Sequence, residues 1–297
     1  MVITILKVAK RVEVKDNKLV ITKENDGVVK YRVEIFDGKE NAEYFALDIT
    51  VEPDEDVITI DFSEIEFSAG TYSIEVFSIG NGGDIIDSTS SYKLEGITKI
   101  DESSLGLTIV DGILQWDIDD NKTYDLYIDD ILEERYKGLT GHIADLSGMT
   151  KSVTHKVQLV AHSDGMISSN KATIMVIKLP DVTNFKLTQT SLDNYTGEAS
   201  YSFAWDSFGE RFSGNTAMFY FEITPEPEIQ PFNGKTENGA TIALPFNYSG
   251  LDAGEYVFNI QAKGRNSKTE SSGFAFGFVN GDKLANPITV TVLDKLE

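Results

Sequence analysis

The chain has 297 residues, of which 41% are hydrophobic, and its 48 acidic and 26 basic side chains give a formal charge of −22. So many aromatic and apolar residues are typical of a folded protein and argue against an acidic disordered tail. A chain this negative repels phosphate backbones, and without cysteine it has no disulfides, thiolate nucleophiles or cysteine metal ligands. We therefore expect a folded protein that binds a protein or a sugar, with no nucleic acid as partner.

The N-terminal segment differs in charge from the rest of the chain. Six basic residues and only two acidic ones lie in positions 1–23, and Lys7, Lys10 and Arg11 are the candidate partner-binding cations. A basic, alternating strand predicts docking on an acidic surface or pairing with another strand edge. Protection of an exposed edge by lysine explains the same pattern equally well.

Neither the N-terminus nor any later stretch predicts a membrane segment. The apolar run Val2–Leu6 is too short for the core of a signal peptide. No stretch approaches the ~20 apolar residues that a spanning helix requires. We expect a protein that is neither exported by the usual signal nor inserted in a membrane.

Short strands rich in aromatic and β-branched residues recur along the chain, at 31–38, 124–130 and 218–224. Helical periodicity is scarce, and Glu40 to Leu47 is the best candidate for one short helical turn. Many short strands separated by Gly, Asn and Asp are typical of β-sandwiches.

A repeated motif divides the chain into three units. Ala-Gly-x-Tyr followed by alternating apolar residues occurs at 69–80 and again at 253–264, and a weaker copy at 155–165 has His155 in the tyrosine position. Breaks near residues 94 and 179 then predict three tandem β-sandwiches, which we call unit one (1–93), unit two (94–178) and unit three (179–297).

These motifs resemble fibronectin type III and related immunoglobulin-like domains. The strand Gly112–Asp117, with Trp116, and the strand Tyr201–Asp206, with Trp205, resemble the second strand of that family. The resemblance implies that both tryptophans are buried between two sheets and that Tyr72 and Tyr256 form the family's tyrosine corner. Unit one departs from the pattern by lacking the tryptophan, and unit two by carrying His155.

One acidic turn resembles the start of a calcium-binding loop. Asp117, Asp119 and Asn121 alternate as oxygen ligands would, but Lys122 replaces the required glycine and Ile128 replaces the terminal glutamate. A solvated turn is the favoured interpretation. We assign no metal, cofactor or catalytic residue, although a chance pair of carboxylates of the glycosidase type stays open.

Unit three holds 18 of the 31 aromatic residues. Most alternate along strands, as core residues do, whereas Phe208, Phe212 and Phe232 lie in loop-like stretches. Exposed loop aromatics suit a protein interface or a sugar platform. Equally, these loops could fold back over their own sandwich.

Three sandwiches without a catalytic domain resemble, as a class, the auxiliary or decoration proteins of tailed-bacteriophage capsids. That resemblance implies a non-catalytic virion structural protein, assembled in the host cytoplasm and bound to the capsid exterior. Its partners would be the major capsid protein or other virion proteins. The alternative is a tail-associated or cell-surface adhesin that binds host-surface glycans through the loop aromatics of unit three.

Overall fold

The computed structural model describes residues 3–24, 26–38, 43–52, 55–192, 199–206, 217–224, 246–251, 253–264, 268–269 and 275–293. Within these ranges the chain is built from short strands and three brief 3₁₀ turns at Phe62–Glu64, Glu102–Leu105 and Glu134–Tyr136. No helix in the described ranges has the length and apolar content needed to span a membrane. The predicted all-β sandwich architecture is confirmed.

Unit one packs two sheets, ordered β2-β3-β6 and β5-β4-β7-β9, around one core, and a short parallel pair β1-β8 lies beside them. Alternation sets the core: in β4, Tyr31, Val33 and Ile35 are buried while the residues between them are exposed or half-buried. The strands are Thr4–Ile5 (β1), Arg11–Lys15 (β2), Lys18–Thr22 (β3), Lys30–Asp37 (β4), Glu43–Thr50 (β5), Val57–Asp61 (β6), Gly70–Ile79 (β7), Ile85–Ile86 (β8) and Tyr92–Lys99 (β9).

The helical turn expected from Glu40 to Leu47 is wrong for the part that the structure describes. Residues 43–47 belong to β5, which pairs antiparallel with β4. Phe45 and Ile49 pack against the core while Ala46 and Asp48 are exposed, and the continuous register with β4 from Phe45 to Thr50 identifies this segment as a strand. Residues 40–42 lie outside the described ranges.

Strand β9 crosses the predicted boundary between units one and two at 93/94. It pairs with β7 from Tyr92 to Lys99, so the sheet of unit one extends six residues past that point. The glycine at position 96, which suggested a break, has a φ of 72° and lies where the β7–β9 register shifts. Gly96 therefore marks an irregularity within strand β9 and not a break between units one and two.

Unit two has a large sheet covered by the hairpin β10-β11 and by the segment that carries Ala144, Leu146 and Met149. As the family resemblance implied, Trp116 is buried, at 4% exposure, and packs against Tyr124 with 5.8 Å between ring centroids. The strands are Thr108–Val110 (β10), Ile113–Gln115 (β11), Thr123–Ile128 (β12), Ile131–Leu132 (β13), Thr154–His162 (β14) and Ala172–Lys178 (β15).

Aspartate-led turns close three hairpins of units one and two. The central pairs Asp16-Asn17, Asp111-Gly112 and Asp129-Asp130 all have positive φ values, between 50° and 73°. Two positive φ values match the type I′ turn, whose twist suits two-residue hairpins. Asp, Asn and Gly tolerate this conformation best. Part of the aspartate content of the chain is therefore explained by the backbone conformation that these turns require.

Unit three has two sheets, ordered β16-β17-β19 and β18-β20-β23, around Phe203, Trp205, Tyr256 and Phe258. The predicted burial of Trp205 is confirmed at 6% exposure. The strands are Lys186–Leu192 (β16), Ala199–Ala204 (β17), Ala217–Thr224 (β18), Phe246–Leu251 (β19), Gly254–Gly264 (β20), Lys268–Thr269 (β21), Ala275–Val279 (β22) and Ile288–Val292 (β23).

One hairpin of unit three completes the sheet of unit two. Strand β22 pairs in parallel with β15 and antiparallel with β21, which gives the six-stranded order β13-β12-β14-β15-β22-β21. Phe276 and Phe278 pack there against buried Ile177 and Leu179. Units two and three therefore share a sheet and a small apolar cluster.

A lysine–carboxylate network covers the same junction. Lys178 is only 1% exposed, and its Nζ donates to the Ser147 carbonyl at 2.6 Å and lies 2.8 Å from Asp282 Oδ1. Lys151 contacts Asp181 and lies 2.7 Å from Asp282 Oδ2. Burial acts to raise the pKa of Asp282, but hydrogen bonds from the two lysines outweigh it and hold that pKa below its usual range.

The tyrosine corner predicted for unit one is present. The Tyr72 hydroxyl donates to the carbonyl of Ser68, four residues upstream, at 2.8 Å, and the ring packs edge-on against Phe67. In unit two, His155 Nε2 lies 3.0 Å from the Thr150 carbonyl, five residues upstream, so histidine makes a similar turn contact. For Tyr256, residue 252 lies outside the described ranges.

Replacing Tyr72 with phenylalanine tests the corner. We expect Tyr72→Phe to lower the free energy of unfolding by about 1 kcal/mol, because the half-buried hydrogen bond between the Tyr72 hydroxyl and the Ser68 carbonyl is lost. Tyr92→Phe is the matched control, since the described residues give its hydroxyl no partner. Denaturant unfolding measures both variants, and equal effects would contradict a structural role for the Tyr72 hydroxyl.

Replacing Asp282 with asparagine tests the junction network. Since its folded pKa is lowered, the contribution of Asp282 is present above its unfolded pKa of about 3.9 and is lost as pH falls through the folded value. We expect Asp282→Asn to destabilise by about 1–2 kcal/mol at pH 7, discounted because the carboxylate is 43% exposed.

The stability gap between wild type and Asp282→Asn should narrow as pH falls below about 3.9 and through the lowered folded pKa of Asp282. Asp181→Asn provides the comparison: it leaves Lys178 paired and should cost less. Thermal unfolding across pH measures both. A gap that stays constant from neutral to acid pH would contradict the ionic contribution.

Candidate interaction surface

Strand β1 presents an unpaired edge at the start of unit one. Its inner edge pairs in parallel with β8, where Thr4 and Leu6 donate backbone N–H groups to the carbonyls of Asp84 and Ile86. Its other edge has no strand partner among the described residues. Ile3 and Ile5 are 56% and 54% exposed, whereas Leu6 is buried in the core. This edge combines free backbone groups with exposed apolar side chains.

The predicted cations lie directly after that edge. Lys7 and Lys10 are exposed, and the Lys10 backbone N–H donates to the Thr22 carbonyl, which fixes the start of β2. The Arg11 guanidinium is 66% exposed and forms an ion pair of 2.7 Å with Glu13, so its own strand offsets part of its charge. We call residues 3–11 the N-terminal edge.

Strand β2 is also an edge strand, at the end of the sheet β2-β3-β6. Val12 and Val14 point into the core while Arg11 and Lys15 are exposed. Charged residues at an edge also discourage non-specific strand pairing. Both explanations that the sequence left open therefore stay predictions: charged residues lie at the edge strand β2, and exposed apolar residues lie beside them on β1.

The aromatic candidates Phe208, Phe212 and Phe232 lie at 207–216 and 225–245, outside the described residues. Their role stays a prediction from the sequence.

In the acidic turn after Trp116, the Asp119 carboxylate pairs with a lysine of the same turn. Asp119 Oδ2 forms an ion pair of 2.8 Å with Lys122, and Oδ1 accepts from the Asn121 backbone N–H at 3.0 Å. The Lys122 hydrogen bond, followed by that of Asn121, holds the pKa of Asp119 below its usual range. In the part of the chain that the structure describes, no three His, Asp or Glu side chains group as metal ligands.

The two histidines of β14 have separate partners on opposite faces of the strand. His155 Nδ1 lies 2.7 Å from Asp129 Oδ2 at the β12–β13 turn. His162 Nδ1 lies 2.6 Å from Ser168 Oγ, and its Nε2 lies 3.1 Å from Asp125 Oδ2 without the alignment of a hydrogen bond. Each histidine therefore serves its local turn or strand end.

The structure adds charged residues that the sequence patterns did not single out. Lys178 and Lys99 are both buried, at 1% and 7% exposure. The sequence could have indicated their burial, because each lysine continues a pattern of buried apolar residues. Lys99 follows Ile97 on the same face of β9, and Lys178 ends the apolar run of β15. Both buried lysines lie at junctions between units.

Comparisons with known proteins give no family: no family model and no curated protein matches the chain. Among solved structures, the chain is similar to chicken CNTN1 FN1-FN3 domains, with 13% identity over 97% of this chain and 98% of that chain and a TM-score of 0.28. A two-domain fibronectin type III segment from chicken tenascin gives 11% identity over 56% of this chain and 97% of that one, with a TM-score of 0.25.

Tp47, the 47-kilodalton lipoprotein of Treponema pallidum, is similar at 11% identity over 56% of this chain and 50% of that chain, with a TM-score of 0.27. TM-scores this low carry no argument about function. The assignment of β-sandwiches rests on the sheets and cores of the chain itself.

Substitutions at two adjacent residues test whether the exposed edge serves folding. We expect Ile5→Ser to change the free energy of unfolding by less than about 0.5 kcal/mol, because the side chain is largely in water already. Leu6→Ala, the matched core variant, should cost about 2–4 kcal/mol. Denaturant unfolding of the two variants decides the matter, and a large cost for Ile5→Ser would mean that the edge belongs to the core.

Proposed function

We propose that this chain is a non-catalytic structural protein that docks on a large protein assembly, on the exterior of a phage capsid. The observation that carries the proposal is the N-terminal edge, where the outer side of β1, which has no strand partner among the described residues, adjoins two exposed isoleucines and exposed cations on a chain of net charge −22. The proposal assigns no catalytic residue.

The edge supplies the elements that β-strand addition uses. The outer backbone groups of β1 can pair with a strand of the capsid protein, and Ile3 and Ile5 can enter pockets on it. Lys7 and Lys10 would orient the approach toward an acidic surface. A stable contact of this type buries roughly 800 Å² on each partner, so residues beyond the edge would also contribute.

The rest of the chain suits a role on a crowded particle. Its acidic residues are spread through all three units, and like charge on many bound copies would oppose sticking between particles. Units two and three share one sheet, so each docked copy would hold both in a fixed relation. The glycan-binding alternative depends on Phe208, Phe212 and Phe232, and no observation in the described ranges favours it.

Charge reversal at the N-terminal edge tests the docking proposal. We expect the double variant Lys7→Glu, Lys10→Glu to bind capsids about tenfold more weakly at low salt, with the difference shrinking as salt rises. Lys137→Glu, at an exposed lysine of unit two, changes the net charge by the same two units as the single variant Lys10→Glu; it is the control for charge reversal away from the edge and should bind nearly as wild type does. The measurement is co-sedimentation with particles purified from cultures that express the chain.

Two results would overturn the proposal. One is absence of the protein from density-purified particles, which would remove the capsid as partner. The other is equal binding by the double variant and the Lys137 control, which would remove the N-terminal edge as the docking element.

A further inference from the structure

The outer face of the β10–β11 hairpin carries exposed aliphatic residues. Strands β10 and β11 pair antiparallel, and residues 142–144 continue the ladder on the other side of β11. Trp116 donates its N–H to the His142 carbonyl at 3.1 Å, and Ala144 donates to the Leu114 carbonyl at 3.3 Å. Side chains alternate between the two faces of a strand, so the residues between the buried ones point outward. We call these outward residues the β11 face: Thr108, Val110, Ile113, Gln115 and Ile143.

Three isoleucines are exposed on or beside this face. Ile143 is 51% exposed and Ile113 is 38% exposed, and Ile118, which follows β11, is 50% exposed. A pocket of about 320 Å³ opens at the end of the face, with Ile118, Gln115 and His142 in its wall. Single exposed aliphatic residues are ordinary on a protein surface, whereas several around one pocket mark an interaction site. An aliphatic side chain of a partner would fit the pocket and act as an anchor.

The charges around the β11 face favour a cationic partner. Asp111 and Asp117 lie before and after β11, and both are exposed. A third exposed carboxylate, Asp145, lies near Arg135, which offsets part of its charge. The five residues of the face itself include no lysine or arginine. A complementary partner therefore presents aliphatic side chains with cations beside them.

The N-terminal edge of a second copy has this chemistry. Ile3 and Ile5 are exposed, and Ile86 lies in register beside Ile5 in the parallel pair β1-β8, so the side chains of Ile5 and Ile86 share a face. Lys7 and Lys10 are exposed directly after β1. The isoleucines of the edge and those of the β11 face all stay exposed within one chain, so the two surfaces do not cover each other in the same molecule.

We propose that the β11 face binds the N-terminal edge of a second copy of this chain, with the isoleucines of the edge packed on Ile113 and Ile143 and its lysines on the side of Asp117. The contact joins two different surfaces, so it repeats from copy to copy and forms a ring or a filament. It uses the side chains of the edge, whereas the docking proposed above uses the backbone groups of β1. Self-association needs no capsid and does not rest on capsid docking.

Sedimentation velocity of the full chain measures this association. A contact with few anchors is weak, so we expect a Kd on the order of 100 µM at low salt, and weaker association as salt rises. The face variant, Ile113→Ser with Ile143→Ser, and the edge variant, Ile3→Ser with Ile5→Ser, should each associate at least about tenfold more weakly, because apolar burial is lost. Ile131→Ser is the matched control: this isoleucine is 65% exposed on β13, in the other sheet of unit two, and its loss should change nothing.

A mixture of the face variant and the edge variant gives the sharper test. Each variant keeps the surface that the other lacks, so the mixture should form a one-to-one complex although neither variant associates alone. Growth should stop at that complex, because the two surfaces left over are both altered. Thermal unfolding confirms that each variant is folded, as substitutions at exposed positions should allow.

Three results would overturn the proposal: a wild-type chain that stays monomeric at about 1 mM, wild-type association by the face or the edge variant, or a mixture that associates no better than its components. A wild-type monomer whose face variant unfolds more easily would show that other residues of the same chain cover the β11 face. Failure of capsid docking would leave these results unchanged, since the samples contain no capsid.

Discussion

The parallel pairing of β15 with β22 is the constraint on which the arrangement of units two and three depends. Strand β15 is the last strand of unit two in the sequence, and without β22 it would be the open edge of its sheet. Covering that edge with a strand of unit three buries Lys178, and a buried lysine requires an anion, which Asp282 supplies. The approach is close enough that Gly112 and Gly264 leave no room for a side chain: a Cβ on Gly112 would overlap Asn280.

The two junctions of the chain are stabilised by different chemistry. Between units two and three, backbone pairing, apolar packing of Phe276 and Phe278, and a satisfied ion network act together. Between units one and two, Asn17 and Asn170 form hydrogen bonds across the junction, and the short backbone pairing around Ile167 places that side chain in the core of unit one.

Local patterns in the sequence were sufficient for most strands and for the buried tryptophans, because alternation and Gly-x-Tyr motifs report on residues within one strand or turn. They could not identify the partner of β22: Phe276 and Phe278 alternate as any strand would, and pairing with β15 is decided by residues about a hundred positions away. The same limit explains the misplaced boundary at 93/94, where Gly96 suggested a linker, and the expected turn at 40–47, where pairing with β4 overrides local propensity. Of the candidate site, the cations at the N-terminal edge came from composition, whereas the exposure of Ile3 and Ile5 required the structure.

The effect of each charged residue in this molecule depends on where the residue lies, and the net charge of the chain does not reveal it. Part of the excess of aspartate closes type I′ turns, where the residue serves backbone geometry. Three lysines illustrate this: Lys10 is exposed beside the outer edge of β1, Lys178 is buried with a carboxylate, and Lys99 has a buried stem. The first can exchange water for a partner's acidic surface at little desolvation cost, and the second is already satisfied within the chain. The third keeps its ammonium in contact with solvent although its stem is buried, so among these three only Lys178 has exchanged its water for partners within the chain, and its charge is the one that requires a carboxylate of the protein.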